Sequence, residues 1–466
     1  MIRSLPLLTL FALVGAADSL APMTMVSGRL TDPALSECSG VVASRAHPGV
    51  IWAHNDSGNP AELFAIGVDG TTIARFAVAA PNLDWEDIAI DDAGIYLADV
   101  GNNQRNRREV QVLRVDEPDP ALPPAGPLPV RATCRLTWPD QPADCEALVV
   151  SGAVGYLIDK RLDGPPGVWR FRLDDVAVQV LKRVATLPIN VPVTGADLSP
   201  DGRRLAVCHP LGLHVFTLPP GDLATTLASA PHDYLGWLDP RQEACCFVPG
   251  GVLAISESRT IRWCSDQRLS AGGGEFPIPI TVDLHPLPQG YVLDGEIGEW
   301  GAANALTLAT SADAGAARAW AAWSPAGIVV AGEVTGVAPT PEAKPWYAGA
   351  AAEIFLGVER AQRPPEYGPD DERCYLAVDQ TGALTLRWPR RTTPPPGAQS
   401  AGRVLADGYR FEAFLPTATP LATDGTLRFA LSVLARAPRR NWYLPLANDA
   451  GVWLSPLNWA VARLRP

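Results

Sequence analysis

The stretch Leu83–Asn103, LDWEDIAIDDAGIYLADVGNN, decides how the fold is read. Its two runs, EDIAI and GIYLADV, alternate apolar and polar or small residues on either side of DDAG. That pattern predicts two short strands joined by a tight turn. The same shape recurs at SGVVASRAHPGVIWAHNDSG from Ser39, EALVVSGAVGYLIDKR from Glu146, TGADLSPDGRRLAVCHP from Thr194 and EACCFVPGGVLAISESR from Glu243. Counting from Ser39 through Glu86, the steps are 47, 60, 48 and 49 residues, and each copy is followed by at least one more strand-like run. Repeats of this length with three or four strands predict a β-propeller. One blade cannot bury both faces of its sheet, so blades stack radially and cover one another. Five copies predict five blades, with Met25–Leu30 completing the last. A six-bladed ring with one weak blade is the structural alternative.

Composition agrees. The chain has 466 residues, with 46 Pro and 41 Gly, which favours many short strands and turns and an all-β class. Its formal charge of −12 gives nucleic acid and anionic lipid no bulk attraction. The N-terminus MIRSLPLLTLFALVGAADS has one Arg, a short apolar run and then small residues, the pattern of a signal peptide over 1–17. The run is too short for a membrane span. The expected location is therefore secreted or periplasmic, and the expected state a monomer. Export makes the eight cysteines candidates for disulfides, with Cys134 and Cys145 placed to close a hairpin and Cys374 left free. No CxxC pair or finger-like His spacing supports a zinc site.

In a propeller, the first strand of each blade lines the central channel. Glu86, Glu146 and Glu243 hold one position in three copies, with Ser39 and Thr194 in the others. These three glutamates are the candidate catalytic residues. Strand ends assigned to the opposite rim supply Asn55, Asp56, Asp99, Asp159, Lys160, His209 and Glu257. Like charges brought together need separation, protonation or a cation. Oxygen donors suit Ca²⁺, with Asp56 and Asp99 as candidate metal ligands. The equally plain reading is that the repeated Glu accepts backbone hydrogen bonds from the next blade and holds the ring together. No nucleophile elbow, HExxH or phosphate loop is present.

Through HNDSG, DWEDIA and DVGNN the propeller region, 25–270, resembles exported bacterial propellers of the six-bladed, TolB-like and NHL-like kind. It is also broadly similar to propellers with phytase-like esterase or calcium-dependent lactonase activity. The Gly- and Pro-rich segment 271–284 reads as a linker, after which the blade motif does not return. Runs such as AAWSPAGIVVAGEVTG, YRFEAFLP and LRFALSVLAR predict a β-sandwich over 285–466. Here LDGEIGEWGAANAL, PWYAGAAAEIFLG, GYRFEAFLP and LRFALSVLAR resemble, in order, the segments of carbohydrate-binding module family 9. That resemblance implies a sandwich that binds sugar ends between two Trp side chains, often with structural calcium. It places Trp346 at the first Trp position and Trp453 at the second, with Trp442 in reserve, and makes Trp300 and Trp323 core. The chain departs from the family where Ala350 and Gly336 replace carboxylates. The expected function is a secreted modular binding protein for carbohydrate or another small ligand. The alternative is an exported calcium-dependent hydrolase of lactones or phosphoesters working from the channel carboxylates.

Overall fold

The computed structural model describes residues 25–122, 126–161, 164–174, 177–221, 223–275, 281–310, 316–336, 350–358, 371–378, 383–388, 393–436, 439–443 and 459–466. Residues 1–17, read as a signal peptide, and Trp346 and Trp453 lie outside the described residues. No described helix is long and apolar enough to cross a membrane.

Five antiparallel sheets form the N-terminal part. Blade I is Cys38–Ala43, Val50–Asn55, Glu62–Gly67 and Thr72–Ala77. Blade II is Trp85–Asp91, Gly94–Asp99, Glu109–Val115 and Val130–Thr137. Blade III is Cys145–Ser151, Val154–Asp159, Gly167–Arg172 and Lys182–Thr186. Blade IV is Gly195–Leu198, Arg204–His209, Gly212–Thr217 and His232–Trp237. Blade V is Gln242–Val248, Gly251–Ser256, Thr260–Ser265 and, from the start of the chain, Val26–Arg29. The first strand of each blade packs beside that of the next, and blade V returns to blade I. The ring is therefore five-bladed and closed by its N-terminal strand.

Both faces of every inner strand are buried, and neighbouring residues serve different neighbours. Val41 faces a core shared with blade V, and Val42 a core shared with blade II. Val149 packs with blade IV and Val150 with blade II. Five such interblade cores account for the ring. They also hold the thiols of the propeller, which explains a departure from the expected disulfides: all eight cysteines are free and buried. Cys134 and Cys145 share one core but come from different blades, and the Cys134 thiol turns to the Leu173 carbonyl at 3.6 Å. Cys374 is free, as read from the sequence.

Segment 271–284, read as a linker, carries two strands. Gly273–Glu275 runs parallel to the outer strand of blade IV. Thr281–Pro286 pairs in parallel with both Ala460–Leu464 and Ala316–Ser324. Backbone pairing, to which Gly and Pro content is a poor guide at a sheet edge, decides both. Through Thr281–Pro286, the C-terminal strands form two connected halves. One holds Ala350–Val358, Glu372–Val378, Leu384–Arg387 and Thr426–Arg436; the other Ala316–Ser324, Gly327–Thr335, Gln399–Leu405 and Gly408–Pro416. Their inner faces share one core around Ile328, Phe411, Leu376 and Phe429. Trp300 and Trp323 are both buried, as expected.

Candidate functional site

In four blades the inner strand begins with a bulge. Pairing slips between Cys38 and Gly40, Trp85 and Asp87, Cys145 and Ala147, and Gln242 and Ala244. The skipped residues are Ser39, Glu86, Glu146 and Glu243. A bulge re-aims one side chain without disturbing the strand that follows. It lets a polar residue occupy a strand that is otherwise apolar on both faces.

The same pairing corrects the rim assignment. Trp85 pairs with Asp99, Cys145 with Asp159 and Cys38 with Asn55. In a hairpin the end of the second strand lies beside the start of the first, so both residue sets stand at one mouth. Asp56, Asp84 and Glu86 each place a carboxylate oxygen within 4.8 Å of the others. Lys160 Nζ donates to Glu146 Oε1 at 3.1 Å. Asp99 is not in that group. Its carboxylate receives Arg107 Nη2 and Gln111 Nε2, both at 2.8 Å, and the Asp84 amide at 3.1 Å. Asp99 is a brace in the blade wall, already neutralised by Arg107, and Asp159 is another: it receives the Gly167 amide and Trp169 Nε1. His209 is buried, with Nδ1 accepting from the Leu211 amide and its ring stacked on His214. Sequence reasoning missed Asp84, although an acid stands two residues before the repeated inner-strand position in three copies, as Glu37, Asp84 and Asp144.

The blade-to-blade hydrogen bonds fall to other residues. Asp87 accepts from the Leu148 amide of blade III at 2.8 Å and the Ala196 amide of blade IV at 3.3 Å. Asp197 accepts from the Phe247 amide of blade V at 2.7 Å. Ser39 and Thr194 donate to the carbonyls of Glu86 and Gln242 at 2.8 and 2.7 Å. The carboxylates of Glu86 and Glu243 receive no hydrogen bond from any described residue. Asp87 and Asp197, with Ser39 and Thr194, tie the ring, and the repeated Glu carboxylates do not.

Burial, then mutual repulsion with Glu146, Asp56 and Asp84, raises the Glu86 carboxyl well above its ordinary range. Burial raises Glu243 in the same way, against the pull of Lys160. Burial pushes Glu146 up to about 7 although Lys160 opposes it. Burial works against the charge of Lys160, but Glu146, Glu243 and Glu86 outweigh it and raise its pKa. The mouth thus holds one ammonium among many carboxyls.

A pH dependence follows. Half-buried Asp197 is also raised to about 7 by desolvation. Unfolded, these carboxyls ionise near pH 4. The fold therefore binds more protons than the unfolded chain from about pH 4 up to the folded values. Stability falls as pH rises through that window. His54, lowered to about 4 by burial, acts in the opposite sense below about pH 6.5, where the unfolded imidazole takes a proton. Above that the carboxyls act alone. In EDTA, the propeller melting temperature should be higher at pH 6.5 than at pH 8, and Glu243→Gln should flatten the slope. A flat profile in the wild type would contradict the buried-carboxyl account.

In the sandwich, Glu412 is fully buried and accepts from Trp300 Nε1 at 2.8 Å and from the Asp294 and Gly295 amides at 3.0 and 2.9 Å. The two segments DGEIGEW and GYRFEAFLP therefore meet in one bond set. Asp294 and Glu299 each bring a carboxylate oxygen near Glu412, but both Glu412 oxygens are engaged by N–H donors.

No family profile matches the chain, and no curated protein does. Among solved structures, it is similar to a carbohydrate-binding module family 9 protein from Caldicellulosiruptor kristjanssonii in complex with cellotriose. The two share 20% identity at a TM-score of 0.33, over 40% of this chain and 93% of that one. A luciferin-regenerating enzyme matches at 11% identity and a TM-score of 0.30, over 48% of this chain and 76% of the other. The computationally designed Ika8 protein matches at 11% identity and a TM-score of 0.24, over 48% and 70%.

Proposed function

We propose that the chain is an exported modular binding protein whose propeller takes a small ligand at its acidic mouth and whose sandwich attaches to carbohydrate. One observation carries the first half: ring closure is handled by Asp87, Asp197, Ser39 and Thr194, which leaves the carboxylates of Glu86, buried, and Glu243, half-buried, with no hydrogen bond from a described residue. A buried carboxyl without a donor is costly and is kept where something else uses it. The surplus of carboxyls over the single Lys160 disfavours a free anion and favours a hydroxyl-rich or positively charged ligand. The second half rests on the sequence resemblance to carbohydrate-binding module family 9, with Trp346 and Trp453 as the sugar-stacking pair. Export rests on the 1–17 segment.

The test uses the full chain in two assays. Calorimetry with neutral and amino sugars should show binding that weakens at least tenfold in Glu243→Gln. Native gels containing soluble polysaccharides should retard the wild type and not Trp346→Ala. No heat with any sugar, together with no retardation, would end this reading. A hydrolase remains the second reading because Glu146, held beside Lys160, stands near Glu86 and Glu243, so that a carboxylate paired with an ammonium and carboxyls raised by burial share one mouth. Turnover of a lactone or phosphoester panel, abolished by a chelator, would favour it over simple binding.

A further inference from the structure

We propose that Asp56, Asp84 and Glu86 form a site for one hard divalent cation, calcium first, set between blades I and II and off the propeller axis. The proposal rests on reading the mouth as a ligand site and names what part of it binds. The three side chains come from the exit of blade I's second strand, the loop before blade II and the bulge of blade II's inner strand. Their oxygens lie within 4.8 Å of one another. Two ligands on opposite sides of a calcium ion stand about 5 Å apart, twice a Ca–O bond, so one ion reaches all three. All are hard oxygen donors, which suits calcium or magnesium over zinc or copper.

Acidic side chains gather on many surfaces without an ion. Two further features set this group apart. Glu86 is 4% exposed and no described donor serves its carboxylate. The one ammonium of the mouth, Lys160, pairs with Glu146 instead. A carboxyl so buried needs a proton or a positive partner. The second feature is Gly101, the glycine of DVGNN. A Cβ there would overlap Glu86 Oε1 and lie 2.6 Å from Asp84 Oδ2, so a glycine at this point leaves the two carboxylates the space they occupy. The backbone around that space is fixed. The Gly101 amide donates to the Asp84 carbonyl at 3.1 Å, and its carbonyl accepts from Arg107 Nη1 at 2.8 Å. Asn82 Nδ2 donates to the Asp56 carbonyl at 2.8 Å, and the Ser57 amide caps the Asp56 carboxylate. Ligands held this way are organised before the ion arrives. Three carboxylates fill only part of the six to eight positions calcium takes, which leaves the rest to water or to hydroxyls of the ligand.

Direct binding decides the question on the full chain, stripped with EDTA and dialysed. Titration with calcium chloride, and separately magnesium chloride, is followed by calorimetry and by the propeller melting temperature. Calcium should bind and raise the melting temperature. Glu86→Gln, isosteric and expected to fold, and Gly101→Ala, whose Cβ would push the Glu86 and Asp84 carboxylates out of place, should each weaken binding at least tenfold. Circular dichroism confirms that both are folded. No binding to the wild type at millimolar calcium overturns the proposal, and so does equal binding by wild type and both variants, because the ion would then sit elsewhere. Preference for magnesium would keep the site and reassign the ion. Polysaccharide retardation, run in EDTA, is read apart: if it persists while calcium fails, the cation site falls and the binding-protein reading stands.

Discussion

Asp87→Ala should lower the stability of the propeller by about 3–5 kcal/mol, the sum for two or three buried amides left without an acceptor. Asp87 is fully buried. One carboxylate oxygen accepts from the Ile88 amide at 2.9 Å; the other takes the Leu148 and Ala196 amides from blades III and IV. Those last two donors belong to inner strands with no free neighbour near the axis, and water cannot replace the lost oxygen without opening the ring. Relief of the buried carboxyl, which desolvation raises well above its ordinary range, offsets part of the cost. It does not supply an acceptor. Asp87→Asn should cost less, since its carbonyl can serve the two interblade amides while its NH₂ faces the Ile88 amide. Urea unfolding followed by the propeller's Trp fluorescence is the measurement. A loss below about 0.5 kcal/mol, the range of ordinary surface changes, would mean that Asp87 is not a tie between blades.

This contrast between Asp87 and Glu86 marks how far the sequence could be read. Five copies with nearly constant spacing were enough for a closed ring, because inner strands repeat whatever the loops do. The adjacent pair Glu86–Asp87 was visible too, but not its division of labour. A bulge is a property of pairing between two strands, and no single strand displays it. Without it, Glu86 and Asp87 point to opposite faces; with it, one turns to the mouth and the other to the neighbouring blades. The same lack of pairing information put Asp56 and Lys160 at the wrong rim. It also made Asp99 look like Asp56, although the partners of Asp99, Arg107 and Gln111, lie eight and twelve residues on. Asp84 shares its place two residues before the repeated position with Glu37 and Asp144, but only the way Gly101 folds back over it makes it a site residue.

Glu412→Ala should be the corresponding lesion in the sandwich, at about 3–5 kcal/mol, again from three stranded donors. Glu412 lies in Gly408–Pro416, paired with Ala331 on one side and Ala401 on the other. Small neighbours leave room for its carboxylate to reach over the sheet to the loop that starts at Asp294. There it fixes the Asp294 and Gly295 amides and the Trp300 indole, so that one side chain sets where the loop turns and where Trp300 packs. Gly295 needs that anchor. Its φ is +83°, a region other residues avoid, and a Cβ there would meet the Gly402 amide at 2.8 Å. With Glu412 removed, the loop loses three bonds while Trp300 keeps only its apolar contacts with Trp320, Val329 and Ala331. The sandwich transition should move down and the propeller transition stay, because the C-terminal strands share a core of their own. Glu412→Gln should fall between the two, since its carbonyl can hold the paired amides but its NH₂ then faces the Trp300 N–H. Calorimetric scans of wild type and both variants give the comparison. If Glu412→Ala melts with the wild type, the loop is held by packing alone, and the bond set joining DGEIGEW to GYRFEAFLP contributes little to this fold.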